Sequence, residues 1–224
     1  MQDYFRYLLW RLGRRQTVPA AFINDVPILE NGEVMVDIKQ DGSLQFHRDL
    51  KKQKSVFLRV KVYQLLKQAQ RTLPKGYYFK ICSAYRSLIE QRQLWDEECR
   101  RQQAAHPEWT RAELLRRVKA VYADPRFGFG GHQTGGALDV TLCDSKGHDY
   151  DMGTAYLEMG KSTPMWALRL SREARRNRRI LYRAMAKQGF QNYPPEWWHY
   201  CYGDRMWAAY KRKKNAFYGL IEKE

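Results

Sequence analysis

Apolar and polar positions divide the chain into segments of two periods. Leu58, Val62, Leu65, Leu66 and Ala69 recur at helical spacing, with Ser55 placed to cap the helix and Pro74 and Gly76 to end it. Tyr77 to Cys82 is β-prone and feeds Ser83-Ala84-Tyr85-Arg86. Charged helices are predicted from about Leu88 to Gln103 and within Pro107 to Tyr122. A longer one runs from about Ser171 to Gln188, with Gly189 as its C′ residue. Ala137 to Leu142 reads as a buried strand that fixes Asp139. Trp197 to Tyr202, aromatic and β-prone, predicts a second strand beside it that carries His199. Val34 to His47 alternates and turns at Asp41-Gly42, the pattern of a small hairpin. Met1 to Arg15 reads as a short amphipathic helix. Strands alternating with single helices around a short sheet predict an α+β fold. No repeat or linker divides the chain, so one domain over 1–224 is expected. Within it, a helix-and-hairpin extension spans 1–50, the core 55–209 and a basic tail 210–224.

Composition agrees with a folded domain. With 44% hydrophobic and 14% aromatic residues, 224 residues can bury a core without disulfide or metal staples. No apolar run approaches the roughly 18 residues of a membrane span. The first fifteen residues are interrupted by arginine and lack a small-residue cleavage site, so a signal peptide is not expected and cytoplasmic residence is. Cys82, Cys99, Cys143 and Cys201 form no CxxC pair, and reduced thiols are expected. The net charge of +16 raises the question of nucleic acid. Its two concentrations are Lys161 to Lys187 and Lys211-Arg212-Lys213-Lys214. The arginines of the first spread around a helix rather than forming one stripe, so no nucleic-acid partner is expected. Such a surface also raises encounter rates with anionic cell-wall fragments.

The candidate chemistry lies in His132 and Asp139, six residues between them, and in Glu196-Trp197-Trp198-His199. Two imidazoles and a carboxylate are ligands zinc accepts, and three protein ligands leave a fourth position for water. A further carboxylate beside that water can take its proton. Gly128 to Gly136 holds five glycines around His132, a density that suggests a loop bending close to a ligand. His47, His106 and His148 have no partners at useful spacing. His148 reads as surface or lid. Taken singly, each site residue has an ordinary structural reading; their joint pattern is what points to a metal site.

These residues resemble a known family. GHQTGGALDV fits the HxxGxAxD pattern of the zinc D-alanyl-D-alanine peptidases, AYRS their tyrosine-arginine element and EWWHY their ExxH element. DMGT at Asp151 to Thr154 and NRRILYRAMAKQGFQNYPPEWWHY at Asn177 to Tyr200 are similar to the D-Ala-D-Ala dipeptidase branch, whose best-known members give vancomycin resistance. The resemblance spans roughly Ser55 to Ala209. It implies a small central, largely antiparallel sheet flanked by helices, akin to the hedgehog and lysostaphin-type zinc peptidases. It also implies one Zn2+ per chain held by His132, Asp139 and His199, Glu196 as general base, and Arg86 stabilising the oxyanion. The implied substrates are the D-Ala-D-Ala dipeptide or peptidoglycan stem peptides. Of Trp197 and Trp198 one is expected in the core and one, taken as Trp198, on the pocket wall; Tyr85 is a second candidate wall residue.

Three positions depart from the family pattern. Gly130 stands where serine is frequent, and Ser87 follows the arginine in place of proline. Leu157 occupies the place of an aspartate that holds a dipeptide's ammonium, with Glu158 beside it as a candidate substitute. A dipeptidase is the first reading, and a D,D-carboxypeptidase or endopeptidase on longer stems is the alternative. A non-catalytic binding protein on the same scaffold and a charge-driven nucleic-acid binder are the readings from other classes.

Overall fold

Strand β5, Ala137–Cys143, is buried at every position, and the fold is laid out on its two faces. The computed structural model describes residues 2–13, 17–119, 121–125 and 130–221. A five-stranded sheet runs in the order β2 (Gln45–Phe46), β4 (Tyr78–Ser83), β5, β7 (His199–Cys201), β6 (Gln191–Asn192). Only the β2–β4 pair is parallel. β1 (Met35–Asp37) and β3 (Phe57–Arg59) form a separate antiparallel ribbon.

Alternation along β5 sends Leu138, Val140 and Leu142 to one face. There they join Phe79, Ile81, Leu66, Leu181 and Met185 in the main core. Helices α4 (Val60–Gln70) and α7 (Arg172–Lys187) cover this face. The buried residues of α7, Ala174, Asn177, Arg178, Leu181, Ala184 and Met185, recur at three- and four-residue steps, and Ser171 caps its start. On the other face, α8 (Arg205–Tyr210) packs Trp207 and Ala208 on Ala137 and Cys201, and Asp139 lies next along the strand. Helices α5 (Leu88–Ala105) and α6 (Arg111–Val118) share a satellite core of Trp95, Leu114 and Val118. Shorter helices α1 (Gln2–Arg11), α2 (Ala20–Asn24) and α3 (Arg48–Lys52) complete the described chain. No helix among the described residues is long and apolar enough to cross a membrane, and no disulfide joins the cysteines.

Several expectations are corrected. Val34 to His47 is not a hairpin. Its turn is tied to α4 through the Asp41 carboxylate, which accepts from Tyr63 Oη at 2.8 Å and Lys67 Nζ at 2.6 Å. Its two arms therefore diverge, one pairing with β3 and the other with β4. Ser55 is not a cap, because Phe57–Arg59 is a strand and α4 starts at Val60. Arg59, the cap residue, instead donates to the Thr134 carbonyl at 2.9 Å. The second strand is shorter than expected, since Trp197 and Trp198 sit in the turn before it. Within the tail, residues 215–221 pack on the domain: Ala216 and Tyr218 are buried, and Ile221 N–H donates to the Gln133 carbonyl.

Arg178 is the anchor of the long segment between β5 and α7. Its guanidinium, 1% exposed, donates to the carbonyls of Met152 (2.7 Å), Pro164 (2.6 Å) and Ser162 (2.7 Å). Burial lowers its pKa to about 10, so it stays charged at neutral pH. Arg178→Met should strand three buried acceptors and lose about 3 kcal/mol or more in a denaturant melt, with Arg178→Lys recovering only part. Burial would raise the Asp41 carboxyl, but hydrogen bonds from Lys67, Ser43 and Tyr63 outweigh it and hold the group well below the usual range. A depressed carboxyl stabilises above its unfolded pKa and ceases to do so as pH falls through the folded value. Asp41→Asn should thus cost about 2 kcal/mol at pH 7, a gap that narrows progressively below about pH 4 in paired melts.

Candidate active site

Ser83, Asp139 and His199 are register partners across β4, β5 and β7, so their side chains emerge on one face. A bulge between Ile81 and Ser83 shifts the end of β4 into this row. His132 is delivered by a 3₁₀ turn, Gly131–Thr134, that leads into β5. Its Nδ1 lies 2.8 Å from the Ala84 carbonyl. A carbonyl only accepts, so Nδ1 carries the proton and Nε2 keeps its lone pair, 3.4 Å from Asp139 Oδ1. His199 Nδ1 is 3.0 Å from the same oxygen. One ligand atom from each of the three residues lies within 4.8 Å of the others.

These residues fit a zinc ion. Two imidazole nitrogens and a carboxylate oxygen converge, which is the donor set of a three-ligand zinc centre. Outer contacts hold the ligands as well: Ala84 orients His132, and Tyr156 Oη donates to Asp139 Oδ2 at 2.9 Å. The electrostatics agree. Burial would raise the Asp139 carboxyl, but the two imidazoles hold it far below the carboxylate range. Burial lowers His132, with Asp139 opposing. On His199 the same burial is outweighed by Asp139 and Glu196, and its pKa rises. The Asp139 carboxylate thus draws positive charge on its His199 side, while burial disfavours a proton on His132 and leaves that imidazole neutral, as a metal ligand must be.

Arg86 and Glu196 line the same cleft, about 240 Å³ in volume, with Leu157, Tyr193 and Trp198. Arg86 is fixed by Gln91 Oε1 and Ser83 Oγ, each at 2.9 Å, and its guanidinium lies 5.8 Å from the centre of the Tyr122 ring. Glu196 sits in a turn that Asn192 staples by donating to the Glu196 and His199 carbonyls, each at 3.0 Å. Burial pushes the Glu196 carboxyl up to about 7 against the pull of His199, the range in which a general base works best near neutral pH.

Other expected site residues fall elsewhere. Tyr85 turns its hydroxyl to the Ile221 carbonyl at 3.4 Å and does not line the cleft. Glu158 is exposed, accepts from Ala155 N–H at 2.9 Å, and is likewise absent from the lining. Leu157 does line it, with φ of +64°. Trp198 walls the cleft edge-on to Tyr156, whereas Trp197 donates to Thr154 Oγ1 at 2.8 Å; both indoles are buried. His148 pairs with Asp144 on an exposed turn, and His106 stacks on Trp109. His47 meets Tyr156 edge-on and supplies no ligand to the cluster.

The glycines answer to two constraints, the cleft and the packing beside it. A Cβ on Gly131 would meet Asp204 Oδ2 at 2.3 Å, and one on Gly136 the Tyr202 carbonyl oxygen at 2.6 Å. Close packing inside the protein thus requires Gly131 and Gly136, while Gly130 and Gly131 line the cleft as expected of a loop close to a ligand, and Gly128 lies outside the described residues. Sequence reasoning missed Tyr156, Gln91 and Asp204. Asp204 left a usable signal as a cap before Trp207, to whose N–H it is bonded at 2.7 Å. Its Oδ2 and His199 Nε2 are buried atoms without hydrogen-bond partners.

Residues 43–218 match the family model described as D-ala-D-ala dipeptidase, Peptidase_M15. The D-alanyl-D-alanine dipeptidase of Synechocystis sp. is 28% identical over 236 residues, covering 88% of this chain and 95% of that protein. The Escherichia coli protein of the same name is 36% identical over 69 residues, 31% of this chain and 36% of its own. Among solved structures, a vancomycin-resistance D,D-pentapeptidase VanY in complex with Zn(II) aligns with a TM-score of 0.47 and 21% identity, over 70% of this chain and 79% of that one. With the match extending over residues 43–218 of 224, the chain belongs to the D-Ala-D-Ala dipeptidase family of peptidases.

Proposed function

We propose that this protein is a zinc metallopeptidase that hydrolyses the D-Ala-D-Ala peptide bond. The observation that carries the reading is that one cleft gathers the His132–Asp139–His199 cluster, Glu196 and Arg86. His132, Asp139 and His199 would hold the ion, one per chain. Zinc there supplies a Lewis acid and lowers the pKa of the attacking water towards neutrality. Glu196 takes the proton of that water and later passes it to the departing amine. Arg86, already locked by Gln91 and Ser83, holds the negative charge that develops on the scissile carbonyl oxygen at no cost of reorganisation.

The dipeptide is the first substrate to offer, because it is what the Synechocystis relative, matched over 95% of its length, is named for. A second reading, cleavage of the terminal D-Ala from longer stem peptides, is favoured by the cleft wall. Among the described residues the acids that line the cleft are Asp139 and Glu196, both needed at the metal, while Leu157 faces it and Glu158 does not. An acylated amine therefore meets no lost partner there. Moreover, a neighbouring cavity of about 390 Å³ shares Lys119, Gly130, Tyr193 and Met206 with the cleft, giving room for further residues.

Glu196→Gln should lower kcat by about 10³-fold while zinc content, read by metal analysis, stays at one per chain. Retained hydrolysis would sink the proposed mechanism. Arg86→Ala should cost about 10²- to 10³-fold in kcat/KM, and Arg86→Lys should recover little, because the fork to Gln91 and Ser83 is lost. Removal of the ion by a chelator should abolish turnover and added zinc restore it. Rates on free and N-acetylated D-Ala-D-Ala separate the two substrate readings: a dipeptidase loses activity on acetylation, and a carboxypeptidase does not.

A further inference from the structure

His199 Nε2 and Asp204 Oδ2 are closed off from solvent and have no hydrogen-bond partner, a condition that calls for a reason in a folded protein. Independent contacts set both residues on one face of the sheet. His199 and Cys201 flank Tyr200 on β7 and therefore point the same way, opposite Asp139 and Ala137 on β5. The Cys201 thiol reaches the Asp204 carboxyl. A Cβ on Gly131 would meet Asp204 Oδ2 at 2.3 Å and the Ala137 Cβ at 2.8 Å. Asp204 thus stands beside the Ala137–Cys201 pair, one step along the sheet from the Asp139–His199 pair. Its other oxygen, Oδ1, is already committed to Trp207 N–H at 2.7 Å, where it caps α8.

An imidazole that gives the lone pair of one nitrogen to a cation carries its proton on the other. His199 turns Nδ1 towards the cluster, 3.0 Å from Asp139 Oδ1, so its proton belongs on Nε2 whenever Nδ1 holds zinc. That N–H lies where water does not reach it and needs an acceptor. We propose, resting on the zinc reading of this site, that Asp204 is the positioning residue of His199, its Oδ2 accepting from Nε2–H when Nδ1 ligates the ion. No hydrogen bond joins the two atoms as they stand. With the proton on Nδ1 and shared with Asp139, both are acceptors and have nothing to exchange. The two charges nevertheless act on each other: burial raises the Asp204 carboxyl while Trp207 N–H and His199 pull it back, and Asp204 helps to raise His199 against burial. His132 is held in the opposite sense, with its proton fixed on Nδ1 by the Ala84 carbonyl. The two ligating rings thus take opposite tautomers, each set by its own outer partner.

Asp204→Asn and Asp204→Ser test this, because each keeps one oxygen for the Trp207 cap and removes the second acceptor. Zinc affinity, read by competition with a chromophoric chelator, should fall by about 10- to 100-fold in both variants. Thermal melts of the zinc-free proteins should stay close to wild type, since the cap survives. In long-range proton–nitrogen NMR spectra of the zinc-loaded wild type, the His199 proton should reside on Nε2 and the His132 proton on Nδ1. Unchanged zinc affinity in both variants, or a His199 proton on Nδ1 with zinc bound, would overturn the role of Asp204 and leave the zinc reading intact. A lowered zinc-free melt with unchanged affinity would do the same, assigning Asp204 to the cap alone. Wild-type protein that takes up no zinc would instead sink the metal reading, and the role of Asp204 with it.

Discussion

A buried anion at the centre of the sheet sets the terms for everything around it. Asp139 is 4% exposed on a strand with no exposed position. Removing a carboxylate from water costs several kcal/mol even after relaxation, unless charge and hydrogen bonds compensate. Each compensation comes from a different part of the chain: His132 from the loop before β5, His199 from the strand beside it, and Tyr156 from the segment that follows. The antiparallel register that sets Asp139 opposite His199 is therefore both a packing arrangement and the frame of the metal site. A slip of one residue would turn His199 to the opposite face and leave Asp139 uncompensated. Zinc completes an electrostatic pattern that the apoprotein already has.

Around that centre lies a second ring that acts on the cleft from a distance. Asn177 donates to the Asp151 carbonyl and Arg178 to that of Met152, while Trp197 donates to Thr154. These contacts give a physical meaning to the DMGT, NRRILYRAM and EWWH stretches, which look unrelated along the chain. They converge on one joint, where α7 holds the segment that carries Tyr156 and Leu157 against the turn that carries Glu196 and Trp198. Motif residues that lie away from the cleft thus fix the residues that line it.

What the sequence made legible follows from range. Helices α5 and α7 were readable because caps and periodicity are local: the Ser87–Glu90 capping box and the apolar stripe of α7 need no knowledge of the rest of the fold. The candidate site was readable because His132, Asp139 and His199, with Glu196 beside them, keep a family spacing. Val34 to His47 misled, since its alternation suits a hairpin, and the deciding bond runs from Asp41 to Lys67 across 26 residues. The glycines beside His132 were legible in part: Gly130 and Gly131 line the cleft, but the packing that also requires Gly131 and Gly136 comes from Asp204 and Tyr202, about seventy residues away. Tyr156 and Gln91 left no local mark at all, because each is defined only by the side chain it reaches.

Leu157 shows how the two rings bear on substrate choice. A leucine at φ +64° is in the left-handed region, where the Cβ crowds the following carbonyl at a cost of about 1–2 kcal/mol. Such a conformation persists only where the surroundings fix it. Here Arg178 holds the backbone on both sides of it, at Met152 and at Ser162 and Pro164, and the side chain packs against the main core as well as lining the cleft. The same turn sends Glu158 outward to cap Ala155. The wall is therefore apolar by construction, and a simple exchange of neighbours cannot bring the Glu158 carboxylate inward without undoing the turn. A substrate that presents a free ammonium at this wall would give up its hydration for a hydrocarbon surface, whereas an amide that continues into the adjoining cavity would not. On the proposed reading, selectivity rests on the backbone conformation at residue 157, and bond cleavage on the register at residue 139.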